Sequence, residues 1–378
     1  MIIIQIHSVL IGICLLDLVW YGTFLVKMKQ FNVIGLMSGT SLDGLDIVYV
    51  NFKYEKYWKY EIINSKTYRY EDKWIILLKN ISQEKIHSVK KIDLDYTKVL
   101  SKYIIDFIDE FSIKDIDFIS SHGHTALHQP SKSLTYQIGN LPILAKYINQ
   151  KVVCDFRVQD IELGGQGAPL VPVGEEYLFP EYTTLINLGG FANITKNINN
   201  NITAYDICPI NIVFNSLCNK IELEYDNNGD VAASGKINKA LYDELQLLKF
   251  YSLPYPKSLS AEWVNEFIEP ILSRYHKVAI NDLLNTFSNH FADQIVKNIG
   301  NKDKLLITGG GAYNNYLISR IRAQSNSKIF IPSSQIIEYK EALIFAFLGV
   351  LKDLNVDNCY SSVTGASKDH SSGKVYNP

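Results

Sequence analysis

Three glycine-rich turns, each placed after an apolar run, constrain this 378-residue chain more than any other feature. The first is "SGTSLDG" (38–44), between "VIGLM" and "LDIVYVNF". The second is "NLGGFANIT" (187–195) and the third is "TGGGAYN" (308–314). Apolar residues alternating on both sides of the first two predict strand, turn, strand. The recurrence of that pattern at 33–50 and 183–197 points to a duplicated core. "KLLITGGGAYNNYLISRI" predicts a buried strand, a turn and a helix.

Residues 72–111 carry apolar positions at helical spacing, "IDFISSHGH" is a strand running into a loop, "LPILAKYINQ" is a helix and "KVVCDF" a short buried strand. "RVQDIELGGQGAPLVP" has three glycines and two prolines, which predicts a long loop and a domain boundary. "NITAYDICPINIVFNSLCNKI" predicts a strand, a loop and a helix. Residues 236–298 are mostly helical, "YKEALIFAFLGVLK" is a helix, and "SSVTGASKDHSSGKVYNP" is a polar terminal loop. The length predicts two domains at about 100–200 residues each.

A hydrophobic share of 47% with 20% charged residues is that of a globular protein. The net charge of −2, without a basic block, excludes the electrostatic footprint of a nucleic-acid binder. Five scattered cysteines with no C-x-x-C predict reduced thiols and a cytoplasmic setting. Residues 2–26 are long enough to attempt a membrane span, yet carry Gln5, His7 and Asp17. They also lack a preceding Lys or Arg and a good small-residue cleavage signal. The expectation is a soluble domain starting at Met28 behind an extension that is not part of the functional protein. A membrane anchor and an added soluble helix are the alternatives.

Glycines let backbone N–H groups approach an anion closely. In the first turn Thr40 and Ser41 add hydroxyls, and Asp43 and Asp46 suit the waters of a hard cation such as Mg²⁺. The turn matches neither the G-x-x-x-x-G-K-[ST] loop nor G-x-G-x-x-G. Alone it also reads as an Asp-Gly hairpin turn, and each of the other two alone also reads as tight packing. Three together point to a nucleotide held between two phosphate-binding hairpins with the third loop near the adenosine, the arrangement of the sugar kinase–actin superfamily.

"GLMSGTSLDGLDIV", "SHGHTALHQP", "QIGN", "CDFR…GGQGAPLVP", "INLGGFANIT", "YDICPIN", "LLITGGGAYN" and "SVTGAS" occur in that order. This succession resembles the anhydro-N-acetylmuramic acid kinase family from about residue 31 to the C-terminus, leaving residues 1–27 outside. The resemblance implies an α/β, two-lobed sugar kinase/actin-like fold, each lobe a mixed sheet flanked by helices, with the active-site cleft between lobes. The expected lobes are 28–160 plus 356–378, and 161–355. It implies an ATP- and Mg²⁺-dependent conversion of 1,6-anhydro-N-acetylmuramic acid and water into N-acetylmuramic acid 6-phosphate, in cytoplasmic recycling of peptidoglycan. The expected partner is a small amino sugar, with no nucleic acid, no stable membrane association unless residues 2–26 are an anchor, and a homodimer left open.

By matching motif, Gly39, Thr40, Ser41, Leu42, Asp43, Gly44, Leu45 and Asp46 form the ATP phosphate loop, with Asp43 and Asp46 on the metal side. Gly189, Gly190, Gly309 and Gly310 are further nucleotide contacts. Asp206 falls on the family's general base and Glu341 on a carboxylate that contacts the sugar. His122, Gln137, Asn140, Asp155 and Arg157 are polar partners for the substrate. Read from the residues alone, Asp206 also fits a cap of the following helix. Glu341 also fits a first-turn acid favoured by the helix dipole, and Arg157 an interdomain ion pair. His122, His124 and His128, as H-x-H-x-x-x-H, also fit a zinc site. Two positions depart from the family pattern: Ile210 stands where many members have glycine, and Ser260-Ala261 where they have Gly-Arg. The alternative functions are a kinase for another amino sugar and a non-catalytic ATP-dependent sensor of wall fragments.

Overall fold

Strand β1 (Gln30–Ser38) buries both of its faces, with Val33, Ile34 and Leu36 fully inaccessible. Such a strand needs cover on either side. The computed structural model describes residues 29–39, 42, 44–198, 201–300 and 303–378. The expected N-terminal extension and the Met28 start lie outside the described residues, as do Thr40, Ser41 and Asp43. Among the described residues no helix is long and apolar enough to cross a membrane.

β1 pairs antiparallel with β2 (Leu45–Tyr54), which pairs antiparallel with β3 (Trp58–Tyr68). On its other edge β1 runs parallel to β4 (Phe118–Gln129), and β4 runs parallel to β6 (Val152–Cys154). β5 (Leu134–Ile138) folds back on β4. Helix Ile86–Glu110 packs Tyr96, Leu100, Ile104 and Phe107 with Ile34, Leu36 and Ile47 of the sheet. Helix Ser334–Asp353 meets residues of the opposite parity. A Cβ on Gly35 would collide with the Ala342 carbonyl, and one on Gly349 would stand 2.5 Å from Ser120 Oγ.

The second unit repeats the design. β7 (Thr184–Leu188), β8 (Phe191–Ile198) and β9 (Asn201–Pro209) form an antiparallel meander. β10 (Lys304–Thr308) runs parallel to β7, and β11 (Lys328–Phe330) parallel to β10. Helix Ile280–Lys297 buries Leu284, Phe287, Phe291 and Ile295 in one cluster with Ile186, Ile194, Ile207 and Ile307. Both sheets thus place a meander's first strand beside two parallel strands, in the orders β3-β2-β1-β4-β6 and β9-β8-β7-β10-β11. The expected α/β class with two mixed sheets is what the chain forms, and the strand orders carry the duplication that the two hairpins suggested.

The division between the units differs from the expected one at 160/161 and 355/356. It falls between Leu178 and Phe179 and between Lys340 and Glu341. Residues 341–355 stay with the first unit because they pack on its sheet, Ser120 Oγ of β4 donating to the Phe345 carbonyl at 2.5 Å, and 161–178 follow through Gly174, where a Cβ would stand 2.6 Å from Ile344 Cγ2. The expected loop at 157–172 contains helix Val158–Glu162 and leads into helix Val171–Leu178. The terminal loop also carries structure. Helix Ser361–Thr364 is followed by the strand Lys374–Tyr376, which pairs antiparallel with β6.

Candidate active site

In the first unit, β1 ends at the glycine-rich turn, of which Gly39, Leu42 and Gly44 are described. Gly44 has φ +155°, and a Cβ there would stand 2.5 Å from the Tyr68 carbonyl, so this glycine is required by the turn itself. Asp46 is paired across the sheet with Thr67, whose hydroxyl donates to Asp46 Oδ1 at 2.6 Å. At the end of β1, Tyr70 donates to Ser38 Oγ at 2.7 Å, and Ser38 Oγ meets His124 Nδ1 at 2.9 Å. Tyr96 closes this buried chain, 2.7 Å from Tyr70.

β4 delivers His122 beside Arg157. Arg157 Nε donates to His122 Nε2 at 2.9 Å, so the ring proton sits on Nδ1, which donates to the Gly123 carbonyl at 2.8 Å. Burial, reinforced by the neighbouring guanidinium, holds the His122 pKa well below 6.5 and keeps the ring neutral. Arg157 also donates from Nη1 to the Gly167 carbonyl at 2.6 Å. Burial pushes its pKa down to about 10, while the nearby charges of Glu341 and Asp160 favour the cation. Asn140 Nδ2 donates to the His122 carbonyl at 3.2 Å, and Gln137 Nε2 to Thr135 Oγ1 at 2.8 Å. The amide oxygens of both, Asn140 Oδ1 and Gln137 Oε1, are buried with no hydrogen-bond donor. An unmet acceptor of this kind costs about 1–3 kcal/mol, which a bound hydroxyl or amide would relieve. Asp155 instead takes an ion pair with Lys374, 2.6 Å away.

The second unit places Asp206 on β9, opposite Asn193 and next to a bulge between Ala192 and Asn193. One carboxylate oxygen accepts from Leu259 N–H at 2.7 Å, and the Asp206 N–H donates to the Lys257 carbonyl at 3.1 Å. Burial raises the Asp206 pKa above 3.8, and the Leu259 bond moderates the rise. Asp206 does not cap the following helix, Asn211–Asn219; its N-cap is Ile210, with no side-chain cap. Ile210 itself is fully buried, and its φ −124°, ψ −92° lie outside the ordinary helical and extended regions. Its N–H donates to the Gly190 carbonyl at 2.8 Å. Ser260, at the other departure, caps the turn Ala261–Trp263 by accepting from Trp263 N–H.

The glycines of this unit's two turns differ in what surrounds them. Gly309 has φ +80°, and a Cβ there would stand 2.5 Å from Asn187 Oδ1, so Gly309 is demanded by the fold. A Cβ on Gly190 would meet nothing within 4 Å, and one on Gly189 or Gly310 would meet Asn187 at 3.3 Å or Asn211 at 3.8 Å. Packing alone explains Gly309 and leaves Gly190 open to a ligand.

Several alternatives end here. Glu341 lies about two turns inside helix Ser334–Asp353, beyond the reach of its N-terminal dipole. His122 and His124 bond as given above, and His128 Nδ1 bonds Thr135 at 3.1 Å. Among the described residues the trio with converging ligand atoms is a different one, Asp160, Cys359 and His370. The described cysteines, Cys154, Cys208, Cys218 and Cys359, are unbridged and buried. The sequence reading placed Ser38 in the first turn but missed its links to Tyr70, Tyr96 and His124, and it missed the Lys257–Leu259 backbone that holds Asp206. Tyr70 and Tyr96 looked like ordinary strand and helix residues, and backbone groups leave no signature in residue identity.

The profile of the family described as anhydro-N-acetylmuramic acid kinase matches residues 31–378. An anhydro-N-acetylmuramic acid kinase from Hydrogenovibrio crunogenus is 32% identical over 365 residues, covering 91% of this chain and 98% of that protein. One from Bacillus cereus is 32% identical over 350 residues, covering 84% and 91%. Among solved structures, the activator of the 2-hydroxyisocaproyl-CoA dehydratase from Clostridium difficile aligns at TM-score 0.43 and 15% identity, covering 87% of this chain and 99% of that one. A likeness that loose carries no argument.

Proposed function

This chain belongs to the anhydro-N-acetylmuramic acid kinase family, and from that premise we propose how its residues serve the reaction. The activity is ATP-dependent phosphorylation of 1,6-anhydro-N-acetylmuramic acid with opening of the anhydro bridge, a step in reuse of cell-wall fragments. The observation that carries the residue assignment is the Asp206 carboxyl. It is partly buried, held by Leu259 N–H, and its pKa is raised toward the range useful for a base.

In this reading a water oxygen attacks C1 of the sugar and gives its proton to the Asp206 carboxylate. The C1–O6 bond breaks with its electron pair on O6. O6 then takes the terminal phosphoryl group of ATP in line, and ADP leaves. O6 needs no separate acid, because phosphoryl capture replaces protonation. Glu341 and Arg157 act as opposite charges on the sugar side, with neutral His122 orienting the guanidinium through its Nε2 lone pair. Gln137 and Asn140 offer their buried amide oxygens to sugar donors. Asp155 is already neutralised by Lys374, so its part is to brace β6 against the C-terminal strand.

The loop 39–46 is the phosphate loop in this assignment, and Gly189 and Gly190 are further glycines for the nucleotide. Asp43 and Asp46 would hold Mg²⁺, a donor set suited to a hard cation, which supplies charge compensation for the phosphates.

Sugar-dependent ADP release, followed by a coupled assay with 1,6-anhydro-N-acetylmuramic acid, tests the function. The expected product is N-acetylmuramic acid 6-phosphate. ADP release with a different amino sugar alone would reassign the substrate. Sugar-linked ATP binding without a phosphorylated product would make the protein a sensor.

A further inference from the structure

Asp160, Cys359 and His370 form a buried trio that none of the roles above uses. Asp160 and Cys359 are fully inaccessible and His370 is 4% exposed. Their ligand atoms all lie within 4.8 Å of one another. Cys359 Sγ is 3.1 Å, and His370 Nε2 3.7 Å, from Asp160 Oδ1. Around a tetrahedral ion with bonds of about 2.0–2.3 Å, neighbouring ligands stand about 3.3–3.6 Å apart. His370 Nδ1 faces the Lys368 carbonyl at 3.1 Å, which places the ring proton there and a lone pair on Nε2. A backbone carbonyl orienting the far nitrogen is the usual support for a metal-binding histidine. Nε2 itself is buried and has no hydrogen-bond partner.

We propose that Asp160, Cys359 and His370 bind one divalent transition-metal ion of the zinc class. Carboxylate, thiolate and neutral imidazole together carry two negative charges, which balance a divalent cation at this buried position and leave its fourth tetrahedral position to a water. Thiolate and imidazole select zinc-like ions over Mg²⁺ or Ca²⁺. Loading breaks the Cys359 S–H bond, forms a metal–sulfur bond and releases the proton to solvent. The other contacts of Asp160 orient it: Oδ2 accepts from Gly167 N–H, and Oδ1 from Thr364 Oγ1, both at 2.6 Å. The Gly167 carbonyl in turn accepts from Arg157. The ion therefore ties the C-terminal segment to the loop that braces Arg157, and acts as a structural clamp separate from the phosphate chemistry.

The test is a Co²⁺ titration of the full chain after chelator treatment. The expected result is a thiolate-to-cobalt charge-transfer band saturating at about one equivalent, lost in Cys359→Ser, and a zinc-dependent rise in melting temperature. His370→Gln is expected to weaken binding by at least about tenfold. A folded wild-type chain with neither the band nor the zinc shift would overturn the proposal, as would a band that survives Cys359→Ser. Should that variant fail to fold, an unchanged affinity in His370→Gln would overturn it equally.

Discussion

Asp206 shows how a single carboxyl is tuned by its surroundings. Burial raises its pKa, so its ionised form is disfavoured in the folded chain relative to the unfolded one. The linked stability is therefore fully present below the ordinary aspartate pKa and is lost as pH rises through the folded value. Ionised Asp206 works against folding at neutral pH. Asp206→Asn keeps an oxygen for Leu259 N–H and removes that opposition. We expect turnover to fall by about 10²–10⁴-fold while the melting temperature at pH 7 holds or rises. Steady-state kinetics and calorimetry on one preparation read both. In the wild type, the acidic limb of kcat/KM against pH should lie above the range of an unperturbed aspartate. Retained turnover in the variant would remove Asp206 as the base. His122 adds no limb near neutrality, because burial and Arg157 keep it neutral there.

At the scale of elements, glycines that look alike in the sequence have different reasons to be there. Gly309 is left-handed and pressed against Asn187, whereas a side chain on Gly190 would meet open space. Gly309→Ala is expected to cost about 1–3 kcal/mol, read as a lower denaturant midpoint. Gly190→Ala should leave that midpoint unchanged and raise KM for ATP if the hairpin receives phosphate. An unchanged KM would return this hairpin to an ordinary turn. Strand–turn–strand at 33–50 and 183–197 was legible because apolar alternation reports a strand directly. The position of Asp206 was not. "DICPIN" reads as a loop by its proline, yet β9 continues through Asp206 to Pro209 because β8 supplies its ladder partners. Glu341 likewise looked like a helix start, since the polar residues before it hid the turns from Ser334 onward.

In the whole molecule, the last residues hold more than their polar composition suggests. Lys374–Tyr376 pairs with β6, and Lys374 neutralises Asp155. Removing residues 374–378 leaves the Asp160–Cys359–His370 trio in the chain but strips those bonds. The expected loss is about 1–3 kcal/mol, read by denaturant unfolding; an unchanged midpoint would show the tail to be dispensable. The sequence by itself determined the α/β class, the doubled hairpin, the three glycine turns and the family, because alternation and ordered local motifs are properties of neighbouring residues. Tertiary structure decided what depends on residues far apart in the chain. It drew the boundary at Leu178 and Lys340, where helix packing outweighs the look of the glycine-rich loop. It set Arg157 on His122, surrounded Asp206 with the Lys257–Leu259 backbone, and brought Cys359 and His370 to Asp160. Contacts across such separations depend on which faces the sheets and helices bury together. Local spacing, which makes the opening "SGTSLDG" turn legible, carries no record of them.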